Sequence, residues 1–469
     1  MERAPPWLLK LVKSELMMST ELVKEANRYE EAFRQATQGR ASDEPAWLQS
    51  LRENSFDQFE QAGFPNIKQE EWKYTNVTSI AKANFVPVLT NNGTALTKDG
   101  GEGGLAPFIY EEARHSRLVF VNGMFREELS SRSGLPDSVV AMDLREALRS
   151  SQHEAIVREY LEHPVLANGF AALNTALFTS GLFLKIPRGL SIEAPIHLLF
   201  IGEGAAENSP PAAFPRVMVV AEENSSATII ESYASPQDDG VYLTNAIVDL
   251  SLADGARLQH YKIQRESMGA FHVAATRAEL GPNSTYNTTT INFGAALSRH
   301  DIRVQMDHEG AECSVDGLYM VDGSQHTDTH SVIDHRQPHC TSHQLYKGIL
   351  DGKSRAVFNG KVFVRHGAQQ TDARQTNKNL LLSTDARVDT KPQLEIFADD
   401  VKCTHGAAVG QIDEEEKFYL ESRGINPVLA RNMLTYGFAE EVIERIGIES
   451  IRRELDAAVL NRLQIQLQA

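Results

Sequence analysis

Cysteine is scarce in this chain: Cys313, Cys340 and Cys403 are the only thiols among 469 residues. Three scattered sulfurs cannot make a disulfide framework, which points to a reducing compartment and to thiols that stay reduced. Basic charge is also short, with 46 Lys and Arg against 63 Asp and Glu, a net of −17. That balance argues against nucleic acid or an anionic membrane as a partner, because both are bound through basic patches. No apolar run approaches the roughly 20 residues of a membrane span. Trp7-Leu-Leu-Lys-Leu-Val12 is short and interrupted by charge, and Glu15, Glu21 and Glu25 follow it. It reads as neither a signal-peptide core nor an acid-poor transit peptide, so the expected location is the cytoplasm. Gly-x4-Gly-Lys-Ser/Thr, Gly-x-Ser-x-Gly, His-Glu-x-x-His and Cys-x-x-Cys are missing too. Their absence argues against phosphate-loop ATP hydrolysis and several common hydrolase and redox chemistries.

What is present divides into three regions. Residues 1–180 read as mostly helical: Leu8, Leu11, Val12 and Leu16, then Leu48, Leu51, Phe56 and Phe59, recur at helical spacing, and Val139 to Phe178 does so again. A glycine-rich stretch near 91–105 predicts a flexible loop, and Leu118–Met124 a strand and turn. Over 181–411, short strands rich in Val, Ile, Thr and Tyr alternate with Asp, Asn, Gly and Ser turns. A turn followed by a small residue recurs at Ala227, Ala256, Ser284 and Ala311, at intervals of 29, 28 and 27 residues. Such spacing fits a solenoid and a β-sandwich equally well. Over 412–469 helices return. Asp413 and Asn426-Pro427 are helix starts, Gly424 is a stop, and apolar residues from Leu429 to Ile446 and from Ile451 to Leu463 form faces that pack together or dock a partner.

The chemistry concentrates at Cys403-Thr-His405. On a strand both side chains face one way, sulfur and imidazole nitrogen suit iron or zinc, and a nearby imidazole favours the thiolate. Two ligands are half a closed site, so the pair predicts a site completed from elsewhere, unless it is only a buried thiol beside a bonded histidine. His326, His330, His335, His339 and His343, with Cys340, Asp328 and Asp334, form a second dense group. Strand alternation puts His326 and His330 on one face and His335 on the other, which favours stacking or an interface over one metal centre. Asp399 and Asp400 read as turn carboxylates, since adjacent strand residues cannot address one substrate as an acid–base pair.

The run Pro392-Gln-Leu-Glu-Ile-Phe-Ala-Asp-Asp-Val-Lys-Cys-Thr-His-Gly-Ala-Ala-Val-Gly-Gln-Ile-Asp413, followed by Phe418–Ile425, resembles the SufD branch of the SufB/SufD family of the SUF iron–sulfur assembly system. Gly63-Phe-Pro, Glu70–Thr75, Asp322–His326, Arg355–Gly360 and Gln375–Leu382 match in the same order. The resemblance implies a mainly β fold, a right-handed parallel β-helix core flanked by helical N- and C-terminal regions. It implies a non-catalytic scaffold in a SufB-SufC-SufD complex, with ATP hydrolysis in SufC. Cys403 and His405 would then lie at a transient iron or cluster site shared with SufB, and the C-terminal helices, through Met433 and Tyr436, would dock SufC. No stable cofactor is expected in the isolated chain. A transient iron–sulfur cluster is expected in the complex, a flavin there and a homodimer of isolated chains remain compatible with it, and neither nucleic acid nor membrane is a partner. SufB carries a functional cysteine in the strand corresponding to Arg374–Leu381; this chain has none there, which favours the SufD branch. The competing class is a stand-alone β-helix enzyme, carbohydrate-active or metal-dependent.

Overall fold

The computed structural model describes residues 29–38, 44–90, 104–204 and 209–463. The expected helix at Leu8–Leu16 and most of the loop expected near 91–105 lie outside the described residues. Helices α1 (29–38), α2 (Ala46–Ala62) and α3 (Thr78–Lys82) lead into strands β1 (Val86–Pro87), β2 (Arg117–Val121), β3 (Met124–Phe125) and β4 (Val140–Asp143). Helices α4 (Leu144–Ala147), α5 (Glu154–Glu162) and α6 (Gly169–Leu177) follow. The stretch from Val139, read as helical, thus opens on a strand, because Val140–Asp143 pairs antiparallel with Leu182–Lys185.

From there the strands are β5 (Gly181–Ile186), β6 (Ile196–Ile201), β7 (Pro211–Ala213), β8 (Arg216–Ala221), β9 (Ser226–Ala234), β10 (Leu243–Leu252), β11 (Arg257–Arg265), β12 (Phe271–Leu280), β13 (Thr285–Asn292), β14 (Leu297–Met306), β15 (Glu312–Val321), β16 (His326–His335), β17 (Thr341–Leu350), β18 (Arg355–Val364), β19 (Thr371–Leu381), β20 (Arg387–Ile396) and β21 (Val401–Gly410). They build two long sheets, β20-β18-β16-β14-β12-β10-β8-β5-β4 and β21-β19-β17-β15-β13-β11-β9-β6-β2-β3. The pairs within the coils are parallel, which settles the choice against a sandwich: this is a β-solenoid of about 7 turns between 196 and 410.

The repeat in the sequence is a corner of this coil. Asn224, Gly255, Asn283, Gly310, His339 and Gln370 all take positive φ, between 51° and 73°. That conformation favours Gly and Asn because they avoid the Cβ clash. Each precedes a residue at most 1% exposed, in turn Ser225, Ala256, Ser284, Ala311, Cys340 and Thr371. Backbone bonds such as Arg257 N–H to Ser225 O and Thr341 N–H to Ala311 O hold the column in register. Ser225, not Ala227, therefore sits beneath Ala256, and the first expected interval of 29 residues becomes 31. Cys340 is a member of this small-residue column.

Alternate residues of every strand point inward. Leu250, Leu280, Met306, Ile333, Val362 and their neighbours make one continuous apolar core. Each coil satisfies the strand edges of the next, so what needs separate cover is the two ends of the stack and the apolar parts of the outer faces. The outer surface of the even sheet carries α2, α5 and α6, whose Phe56, Phe59, Phe170 and Leu173 pack with Met218, Leu243 and Val273. The outer surface of the odd sheet carries helices α7 (Glu414–Ser422), α8 (Pro427–Ile443) and α9 (Glu449–Arg462). Here Val442, Ile443, Ile451, Leu455 and Val459 meet Ile230, Ile263, Ile291, Leu318 and Ile349. Much of the C-terminal apolar surface is thus spent on the solenoid, beyond packing helix on helix. The caps fall where the sequence put them: Asp413 accepts from Glu415 N and Glu416 N, Asn426 accepts from Leu429 N, and Gly424 ends α7 at φ +89°. Helix α8 runs through Gly437 without a break.

Candidate functional site

Among the described residues, the far end of the solenoid has no such cover. Strands β20 and β21 are the edges of the two sheets, and their residues are half-buried or exposed along their length. Ile396, Phe397 and Val409 are 41–47% exposed there. Two ten-residue edges with free backbone groups invite pairing with another strand.

Cys403 and His405 stand on β21, in register with Ala373 and Gln375 of β19. As the spacing predicts, alternation gives them the same side. Cys403 is half-buried and packs against the solenoid core, whereas His405 is exposed. Burial pushes the Cys403 thiol above its ordinary value. Burial thus works against the thiolate form that a nearby imidazole would favour. Beneath His405 the interior turns polar. Gln375 Nε2 donates to Gln344 Oε1 (2.7 Å), and Asn379 Nδ2 donates to Asn377 Oδ1 (2.7 Å). Gln375 Oε1 is buried with no partner among the described residues, an uncompensated acceptor one strand from His405. The alternation in Ala373-Arg-Gln-Thr-Asn-Lys-Asn379 signals this amide row, with Gln375, Asn377 and Asn379 on the face of Ala373. Among the described residues no three His, Cys, Asp or Glu side chains converge as a metal site. Cys403 and His405 remain a pair.

The histidines of 326–343 are dispersed. His335 points inward, donating to or accepting from Ser342 Oγ at 2.8 Å, and burial lowers its pKa to about 4. His339 is a corner residue, and His343 is exposed. His326 and His330 share the outer face, as alternation requires, and there they fasten the N-terminal segment. His326 Nε2 lies 2.8 Å from Thr75 Oγ1, and Thr75 donates to Asp328 Oδ2 (2.5 Å). His330 Nε2 lies 3.1 Å from Asp328 Oδ1, and its Nδ1 lies 3.3 Å from Glu71 Oε2. Asp399 and Asp400 occupy the bend between β20 and β21, where Asp400 O accepts from Gln370 N (2.6 Å).

That fastening is pH-sensitive. Burial opposes charge on His330 and Arg299 repels it, yet Asp328 and Glu71 outweigh both and raise its pKa to about 9. A folded value above the ordinary 6.5 means that the stabilisation is complete below about pH 6.5 and is lost as pH rises through 9, about 3 kcal/mol in order of magnitude. The thermal midpoint of the chain is expected to fall across that window, and less so in His330→Gln. Equal slopes in the two proteins would remove this assignment.

At the C-terminal end, Met433 is 44% exposed, while Tyr436 is half-buried with its hydroxyl donating to Asp456 Oδ1 (3.0 Å). Helices α7 and α8, which pack on each other, carry further exposed apolar side chains: Phe418 (70%), Tyr419 (58%), Val428 (69%) and Leu429. Leu429 belongs to the apolar face read from the sequence, whereas Phe418, Tyr419 and Val428 were not singled out there for docking. The signal was that Phe418 and Tyr419 sit in a helix too charged to have an apolar face of its own.

Comparison with known proteins agrees with this arrangement. Residues 23–198 match the model of the SufBD protein N-terminal region, and residues 201–438 match the SufBD core domain of the SUF system for FeS cluster assembly. An iron–sulfur cluster assembly SufBD family protein of Synechocystis is 36% identical over 425 residues, 89% of this chain and 91% of that one. The iron–sulfur cluster assembly protein SufD of Escherichia coli is 33% identical over 410 residues, 86% of this chain and 90% of its own. SufD of Bacillus subtilis is 27% identical over 428 residues, 90% and 95% of the two chains. The coil, its uncovered end and these matches over nearly the whole length agree: the chain belongs to the SufBD family, and its role lies in iron–sulfur cluster assembly.

Proposed function

We propose that the chain is the SufD-type scaffold subunit of a SufB-SufC-SufD complex. The observation that carries this reading is the pair Cys403 and His405 on the exposed edge strand of an uncovered solenoid end. Half a ligand set on an unpaired edge fits a site finished by a second β-helix. In this reading SufB pairs with β20 and β21, and its side chains complete a transient iron or cluster site around His405. The cluster is cargo, held while the complex is assembled and then passed on. SufC docks on the exposed apolar patch of α7 and α8 and supplies ATP hydrolysis, for which the sequence has no phosphate loop. The complex operates in the cytoplasm.

Anaerobic reconstitution with iron and sulfide tests the shared site. A cluster commonly needs about four protein ligands and this chain offers two, so the isolated chain is expected to lose its cluster absorbance on desalting. The complex with SufB is expected to keep it. A stoichiometric cluster retained by this chain alone would overturn the shared site, even if the scaffold role stood.

A further inference from the structure

The even sheet carries arginines on its outer face, and most are matched to carboxylates. Arg216 and Arg277 share Asp249 at 3.2 and 2.8 Å. Arg299 takes both oxygens of Asp301, at 2.9 and 3.0 Å, and Asp328 Oδ2 at 2.7 Å. The side chain of Arg303, half-buried on the same strand β14, makes no hydrogen bond or ion pair among the described residues. In a protein of net charge −17, a half-buried arginine whose guanidinium meets no carboxylate stands apart from Arg216, Arg277 and Arg299.

Arg303 lines a cleft of about 260 Å³ over β14, β16 and β18, with Glu71 at one side. Register puts Val332 beside Arg303 and Lys361 beside Val332. Lys361 has a long contact to Glu395, 3.7 Å, lies within electrostatic reach of Glu71 across the cleft, and has its Nζ 5.4 Å from the Phe363 ring centre. The acidic groups lining the cleft are already engaged, Asp301 by Arg299 and Glu71 by His330. Asn359 adds an amide to the lining, and Val332 and Phe363 add apolar surface. The cleft has room for several waters, more than a bare oxyanion fills. Two cations flanking an apolar strip match an anionic head on an apolar body.

We propose that this cleft binds a small organic anion, its carboxylate or phosphate oxygens between Arg303 and Lys361 and its apolar body against Val332 and Phe363. The site is remote in sequence from Cys403 and His405 and does not depend on the proposed pairing with SufB.

Isothermal titration of the full chain with phenyl phosphate, benzoate and inorganic phosphate tests it. One-site binding of phenyl phosphate or benzoate is expected, and which of them binds identifies the head group. Arg303→Gln and Lys361→Gln should each weaken binding about tenfold or more, as loss of a charge-assisted hydrogen bond does, with unchanged thermal midpoints in the absence of ligand. Phe363→Ala should weaken phenyl phosphate or benzoate while leaving inorganic phosphate unaffected. Failure of both organic anions to bind at millimolar concentration overturns the proposal, as does equal binding by wild type and Arg303→Gln. Inorganic phosphate binding as tightly as phenyl phosphate removes the apolar part of the site.

Discussion

Replacing His405 by alanine is expected to lower cluster maturation at least tenfold in cells that depend on this pathway, with recovery of the SufB-SufC-SufD complex unchanged. Loss of a partner one shell removed from a metal commonly costs 10–100-fold, and a direct ligand is worth no less. The fold does not oppose the test: His405 is exposed on an edge strand, and surface changes of this kind stay within about 0.5 kcal/mol. Alanine can neither ligate iron nor relay a proton, whereas imidazole does both. Cys403→Ser is expected to be milder, because burial keeps the thiol protonated in the isolated chain and its packing is on Ala373 and the core. Normal maturation by His405→Ala removes the proposed site. A Cys403→Ser defect as deep as that of His405→Ala would instead make the thiolate an obligatory ligand, formed only when SufB closes the site.

Phe418→Glu and Met433→Glu are expected to weaken SufC docking by about 2–4 kcal/mol each, roughly 30- to 1000-fold in affinity, since a carboxylate would be desolvated without a counter-charge at the centre of an apolar contact. Both side chains are exposed, 70% and 44%, so the variants should melt where the wild type does. Tyr436 is the poorer site for such a change. Its hydroxyl ties α8 to Asp456 of α9, and a loss of binding there would mix docking with helix packing. Pull-down of SufC distinguishes the cases. Undiminished capture by both glutamate variants, and by a chain ending before Asn426, would place SufC elsewhere.

Several features were legible from residues alone because they are set by local chemistry. Asp413 and Asn426-Pro427 cap their helices through their own side chains and ring. The recurring turn before a small residue is the solenoid corner, since a positive φ followed by a packed column tolerates few residue types. Even there the first interval was misread by two residues. Ser225 and Ala227 are both small, and only the hydrogen-bonded register tells which one lies under Ala256.

The choice between solenoid and sandwich was beyond periodicity, because both bury alternate residues of short strands and differ only in which strands pair. Long-range pairing decided it, and with it which histidines meet. His326 and His330 reach Thr75 and Glu71, some 250 residues earlier in the chain. Local residue chemistry is therefore enough for the set of strands, corners and caps, the family likeness, and the placing of Cys403 and His405 on one side of a strand. Packing between distant segments made this strand the last coil, open among the described residues, turned most of the apolar surface of the C-terminal helices to the solenoid while Phe418 and Met433 stay outside, and set the Arg303 guanidinium in a cleft with no carboxylate bonded to it among the described residues. Burial and pairing are properties of neighbours brought together by the coil. No local run of residues encodes which neighbour will be missing.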